Sequence, residues 1–167
     1  MTRSRRLLNR ARIKIAAMLA GIATTCTLLP FFIPCSLGQQ VQRSVLLPSS
    51  AARSIPDRPP GQGSWEPTKS DIESLETNLP QVPALDVKGW SPRIKIDHPE
   101  KYFRQYVPVI YGGKKLIYIN AFCEDELSPF DWHTHLYVVT DGATCYWQAL
   151  YDPVTKKISS LTINSRG

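Results

Sequence analysis

The chain has 167 residues, with 20 Lys+Arg against 14 Asp+Glu and a formal net charge of +6. The excess charges, Arg3, Arg5, Arg6, Arg10, Arg12 and Lys14, all precede residue 39 in a stretch without acids, and beyond it 14 basic residues face 14 acidic ones. Phosphate-backbone binding draws on a local excess of Lys and Arg, so the balanced remainder argues against a nucleic-acid partner.

The basic residues lead into 19 uncharged residues, Ile15 to Ile33, and then Ser36-Leu37-Gly38, with small residues one and three positions before Gln39. A basic n-region, an apolar h-region and a small-residue cleavage site predict a secretory signal over residues 1–38. The apolar stretch also approaches the ~20 residues that span a bilayer. An uncleaved anchor with its basic end inside is therefore the alternative, weakened by Thr24, Thr25, Thr27 and Pro30. Pro34 stands where a lipoprotein site ahead of Cys35 needs a small residue, and Ser4-Arg5-Arg6-Leu7-Leu8 matches a twin-arginine signal only in part. Each route predicts an extracytoplasmic protein of the periplasm or cell envelope, touching the membrane only through this segment if it stays uncut.

Residues 39–67 carry Pro48, Pro56, Pro59, Pro60 and Pro67 with Gly61, Gly63 and several serines. No periodic apolar pattern runs through them, which predicts a flexible tether. Residues 68–167 then form one small domain with a single core. Ser70-Asp71-Ile72-Glu73 has the form of a capping box, and Ile72, Leu75 and Leu79 follow as one apolar helical stripe that Pro80 ends. Tyr102–Tyr111 and Lys114–Cys123 flank Gly112-Gly113, a two-residue hairpin turn. Tyr111 then faces Lys114, Val107 faces Tyr118, Phe103 faces Phe122, and Tyr106 meets Ile119 on the other face. Pro108 lacks an amide, which places its strand at an edge or a bulge. A second hairpin is expected from Leu136–Thr140 through Asp141-Gly142 to Thr144–Tyr151. A turn at Asp152-Pro153-Val154-Thr155 and a last strand from Lys157 to Asn164 follow. The predicted class is α+β, one N-terminal helix packed on a four-stranded antiparallel meander sheet.

Cys26 and Cys35 belong to the signal, leaving Cys123 and Cys145. In an oxidising compartment such a pair predicts a disulfide, here tying the two hairpins together, with a metal pair or free thiols as alternatives. Trp65-Glu66-Pro67, Asp71-Ile72-Glu73-Ser74-Leu75-Glu76, Tyr102-Phe103-Arg104-Gln105-Tyr106, Tyr118-Ile119-Asn120-Ala121-Phe122-Cys123 and Asp141-Gly142 through Cys145-Tyr146-Trp147 to Tyr151-Asp152-Pro153 resemble segments of small uncharacterised exported proteins of Gram-negative bacteria. That resemblance covers residues 65 to 164 and implies no activity. The helix-on-sheet shape is also similar to cystatin-like modules, a likeness of fold alone, and the domain has no Gln-x-Val-x-Gly inhibitory segment.

Glu124, Asp131, His133 and His135 form the sharpest polar cluster. On an extended segment the two histidines point the same way, and a carboxylate would complete a divalent-metal site. Against it, acidic runs are usually solvated surface and short motifs recur by chance. There is no Gly-x-Ser-x-Gly elbow, a domain of this size rarely offers a glycosidase cleft, and the expected disulfide would consume both cysteines. Aromatic residues crowd the strands and their loops, and one helix covers only one face of a sheet. Trp132, Tyr137, Trp147 and Tyr151 are therefore the candidate binding residues. The reading is a non-catalytic module without cofactor, binding a protein or cell-envelope component of unknown identity; metal binding through His133 and His135 is the alternative.

Overall fold

A computed structural model describes residues 42–56, 64–123 and 131–166. The expected signal over 1–38 lies outside the described residues. The elements in chain order are β1 (Ser44–Leu46), α1 (Lys69–Asn78), β2 (Phe103–Tyr111), β3 (Lys114–Phe122), β4 (Tyr146–Asp152) and β5 (Lys157–Ile163), with short 3-10 turns between them. The fold is α+β, but the sheet is mixed and five-stranded, in the order β1-β2-β3-β4-β5. The helix is also not the first element, because β1 precedes it and pairs in parallel with β2, Val45 opposite Gln105. Both corrections come from the stretch expected as a tether. Residues 44–46 add a strand, Ser49–Ser54 make a 3-10 turn, and Leu47 and Ile55 are buried against the sheet. Leu47 and Ile55, scattered among prolines and serines, carry no periodic signal; a sheet edge ready to receive the stretch supplies the order.

Helix α1 begins at Thr68 rather than Ser70. The Thr68 hydroxyl accepts from the amide of Asp71, and Asp71 Oδ2 accepts from the Thr68 amide at 2.8 Å, so the capping box closes two residues earlier than expected, with Asp in place of Glu. The α-helix ends at Asn78, two residues before Pro80, and 3-10 turns carry the chain on to Ala84. Leu75 and Leu79 are buried and Ile72 half-buried, the stripe lying on the sheet as expected. Two tyrosines pin it there: Tyr151 donates to Ser74 Oγ at 2.8 Å and Tyr106 donates to Glu76 Oε1 at 2.7 Å. Glu76 also pairs with the buried Arg104 at 3.1 Å, and Arg104 Nε donates to the Tyr106 hydroxyl. Burial pushes the Tyr106 phenol far above its ordinary pKa, so it remains a neutral donor.

The first hairpin has the expected register, Tyr111 opposite Lys114, Val107 opposite Tyr118, Phe103 opposite Phe122 and Tyr106 opposite Ile119. Gly112 and Gly113 take the positive φ angles, 53° and 75°, that this turn requires. Pro108 sits at a local edge. Arg104 donates to the Arg43 carbonyl and Tyr106 accepts from the Leu47 amide, so alternate residues of β2 address β1. Pro108 is the next position on that side, just past the end of β1, so its lack of an amide removes no rung from the β1–β2 pairing. In β5 a break in register between Gln148 and Leu150, with Ser160 at φ 55°, puts Ile158, Leu161 and Ile163 on the helix side despite their uneven spacing.

The second expected hairpin does not form. Residues 136–140 are not a strand, Gly142 and Ala143 take positive φ, and Ala143–Cys145 is a 3-10 turn. The reason is topological. One edge of β4 is taken by β3 and the other by β5, so no edge remains for residues 136–140 to pair with. The disulfide Cys123–Cys145 is present, with Cα atoms 5.1 Å apart. It therefore joins the end of β3 to the chain entering β4 instead of linking two hairpins, and it closes a loop of sequence separation 22.

Candidate binding groove

The face of the sheet away from α1 is divided by one transverse row. Gln105 on β2 lies opposite Asn120 on β3, Asn120 opposite Gln148 on β4, and Gln148 opposite Thr162 on β5. Strand alternation places these four side chains on the same face. On one side of the row Phe103 and Phe122 stack at 5.9 Å, and Trp132 meets both edge-on at 5.6 Å. On the other, Val107, Val109 and Tyr118 pack with Leu47, Ile55 and Leu136.

The row holds a strap, residues 131–140, against the sheet. Gln105 Nε2 donates to the carbonyls of Trp132 at 2.5 Å and His135 at 2.6 Å, while its Oε1 accepts from the Tyr137 amide at 2.8 Å and from Asn120 Nδ2 at 2.9 Å. Asn120 Nδ2 also donates to the Tyr137 carbonyl, Asn164 Nδ2 to the Val139 carbonyl and Ser165 Oγ to the Thr140 carbonyl. Side-chain amides do here what a neighbouring strand does elsewhere: they satisfy the backbone of a segment that pairs with no strand. Further along, Gln148 Nε2 donates to Asn164 Oδ1 at 3.0 Å and Thr162 Oγ1 donates to Gln148 Oε1 at 3.2 Å. The disulfide closes the base of the loop that carries the strap.

Between the strap and strands β4 and β5 lies a groove of about 630 Å³, within the usual range for small-ligand sites. Asn120, Gln148, Thr162 and Asn164 give it polar surface; Val138 and Leu150 give it apolar surface, while the Tyr137 ring packs on Phe122 and Tyr146. Among the described lining residues the ionisable ones are Lys88, Tyr118 and Tyr137, and none is Asp, Glu, His or Cys.

The predicted site residues part company here. Tyr137 lines the groove, half-buried. Trp132 is buried with Phe103 and Phe122, and its ring stacks on His133 at 4.0 Å. Trp147 and Tyr151 are fully buried on the opposite face, under α1, so neither presents a surface to a partner. The second face is not left bare as expected, because the N-terminal stretch and the strap cover much of it. Asp131, His133 and His135 lie in a tight turn instead of an extended segment. Asp131 Oδ1 contacts His133 Nδ1 at 3.2 Å, and the Thr134 hydroxyl and His133 amide hold the Asp131 carboxyl below its ordinary pKa. His135 Nδ1 instead meets the Thr134 hydroxyl. Glu124 lies outside the described residues, and among those described no three His, Cys, Asp or Glu gather closely enough to hold a metal ion.

The sequence reading passed over Gln105, Asn120, Gln148 and Thr162. A signal was available: the expected register puts Gln105 opposite Asn120, between the apolar pairs Phe103–Phe122 and Val107–Tyr118. A pair of carboxamides in the middle of an apolar strand face needs partners, and those partners are the strap. Comparison with family models, with curated proteins and with solved structures gives no match.

Proposed function

We propose that the protein is an exported, non-catalytic binding module whose ligand occupies the groove between the strap and β4–β5. The observation that carries this reading is the chemistry of the lining. Neutral amides, hydroxyls and apolar side chains dominate it, and among the described residues it has no carboxylate, imidazole or thiol for acid–base or nucleophilic work. The partner is a component of the cell envelope. Export is supported by the basic, apolar and small-residue layout of residues 1–38 and by the Cys123–Cys145 bridge, which suits an oxidising compartment.

Two experiments test this. Mass spectrometry of protein from fractionated cells should show a chain in the envelope fraction beginning at Gln39; an intact Met1 form in the cytoplasm would refute export. Immobilised protein should retain envelope material that Val138→Asp does not. Val138 lines the groove and is 45% exposed, so the change spares the core. Equal retention by both would refute the groove as the site.

A further inference from the structure

The groove also bears on what kind of ligand it accepts, an inference that rests on the binding reading above. We propose that it takes a neutral saccharide, with ring hydroxyls hydrogen-bonded to the Asn120 and Gln148 carboxamides and the C–H face of a ring against Leu150 and Val138, both of which line the groove. Asn120 is 6% exposed. Its Nδ2 is committed to Gln105 Oε1 and the Tyr137 carbonyl, which leaves Oδ1 as an acceptor with no protein partner among the described residues. A carboxamide oxygen held this firmly, in a residue lining a groove, is a preorganised acceptor for a ligand O–H or N–H. Gln148 is oriented from both ends by Asn164 and Thr162 and retains one N–H and one lone pair.

Carboxamides offer a donor and an acceptor side by side, and a sugar hydroxyl is both at once. An anionic ligand calls for clustered cations and a cationic one for carboxylates. Among the described residues lining the groove the one cation is Lys88, and it is exposed. An extended peptide is recognised along a free strand edge by backbone groups. These polar side chains run instead in a row across the strands, on the face of the sheet.

The test uses the purified, naturally processed protein labelled with ¹⁵N, titrated separately with maltotriose, cellotriose, N-acetylglucosamine trisaccharide and an uncharged hexapeptide of Ser, Thr and Val. At least one trisaccharide should shift the side-chain amide signals of Asn120 and Gln148 saturably. Val138→Trp should fill the groove, leave the melting temperature in place and abolish the shifts. Gln148→Leu should weaken binding by about tenfold or more, a loss of about 1.4 kcal/mol. No shift with any trisaccharide at millimolar concentration would overturn the proposal, as would identical shifts in Val138→Trp. Shifts from the peptide alone would overturn the saccharide while leaving the binding module standing.

Discussion

Replacing Gln105 with Leu removes the most connected side chain of the transverse row while keeping its approximate size. Gln105 is fully buried, and both its donors and its acceptor oxygen are in use: two strap carbonyls, the Tyr137 amide and Asn120 Nδ2. Leaving a buried polar partner unpaired costs about 1–3 kcal/mol. The bonds to Trp132 and Asn120 are buried, whereas those to His135 and Tyr137 are partly buried and open to partial rescue by water. The added apolar contact with Phe103 and Val107 returns part of the loss. Peeling of the strap also caps it, since a freed strap rehydrates its own backbone. The expected net loss is about 2–4 kcal/mol, measured by urea denaturation, with faster hydrogen exchange at the Tyr137 amide. A loss under about 0.5 kcal/mol with that amide still protected would refute the amide row as the strap's anchor.

Gln105→Glu sharpens the test. An ionised carboxylate there would face the Trp132 and His135 carbonyls with no proton to give, so burial and repulsion raise its folded pKa above the unfolded value. The protonated form binds its proton more tightly when folded. The variant's stability is therefore fullest below the unfolded carboxyl pKa and is lost as pH rises through the folded one, a trend that Gln105→Leu should lack.

The Cys123→Ser/Cys145→Ser double variant should lose about 3 kcal/mol, the loop-closure value for a separation of 22; an unchanged midpoint in denaturant would show that the bridge does not constrain the unfolded chain. Gly112→Ala and Gly113→Ala should each cost about 1 kcal/mol, because both have positive φ but open space at the would-be Cβ. Gly142→Ala should cost more, since its Cβ would collide with the Tyr146 ring as well as sit at φ 91°; equal thermal shifts for the three glycine variants would contradict this. Tyr106→Phe removes a buried hydroxyl that donates to Glu76 and accepts from Arg104. It should destabilise by about 1–3 kcal/mol, and a stability equal to wild type by calorimetry would argue against that link between α1 and the sheet.

Local pattern was enough wherever the interaction was itself local or two-fold periodic. The Gly112-Gly113 turn fixed the register of β2 on β3 because a two-residue turn leaves one pairing open. The stripe Ile72, Leu75, Leu79 revealed the helix because its buried face repeats with the helical period, although the cap shifted to Thr68. The Cys123–Cys145 pairing followed from there being two cysteines beyond residue 38. Tertiary structure decided the rest. Residues 44–46 became a strand because β2 had an edge to offer, a condition no property of those residues announces. Residues 136–140 are composed of strand-favouring residues yet found both edges of β4 taken, and became a strap held by Gln105, Asn120 and Asn164. Trp147 and Tyr151, aromatic like Tyr137, went beneath the helix while Tyr137 lines the groove, because strand alternation separates two faces but only packing decides which of them the helix covers.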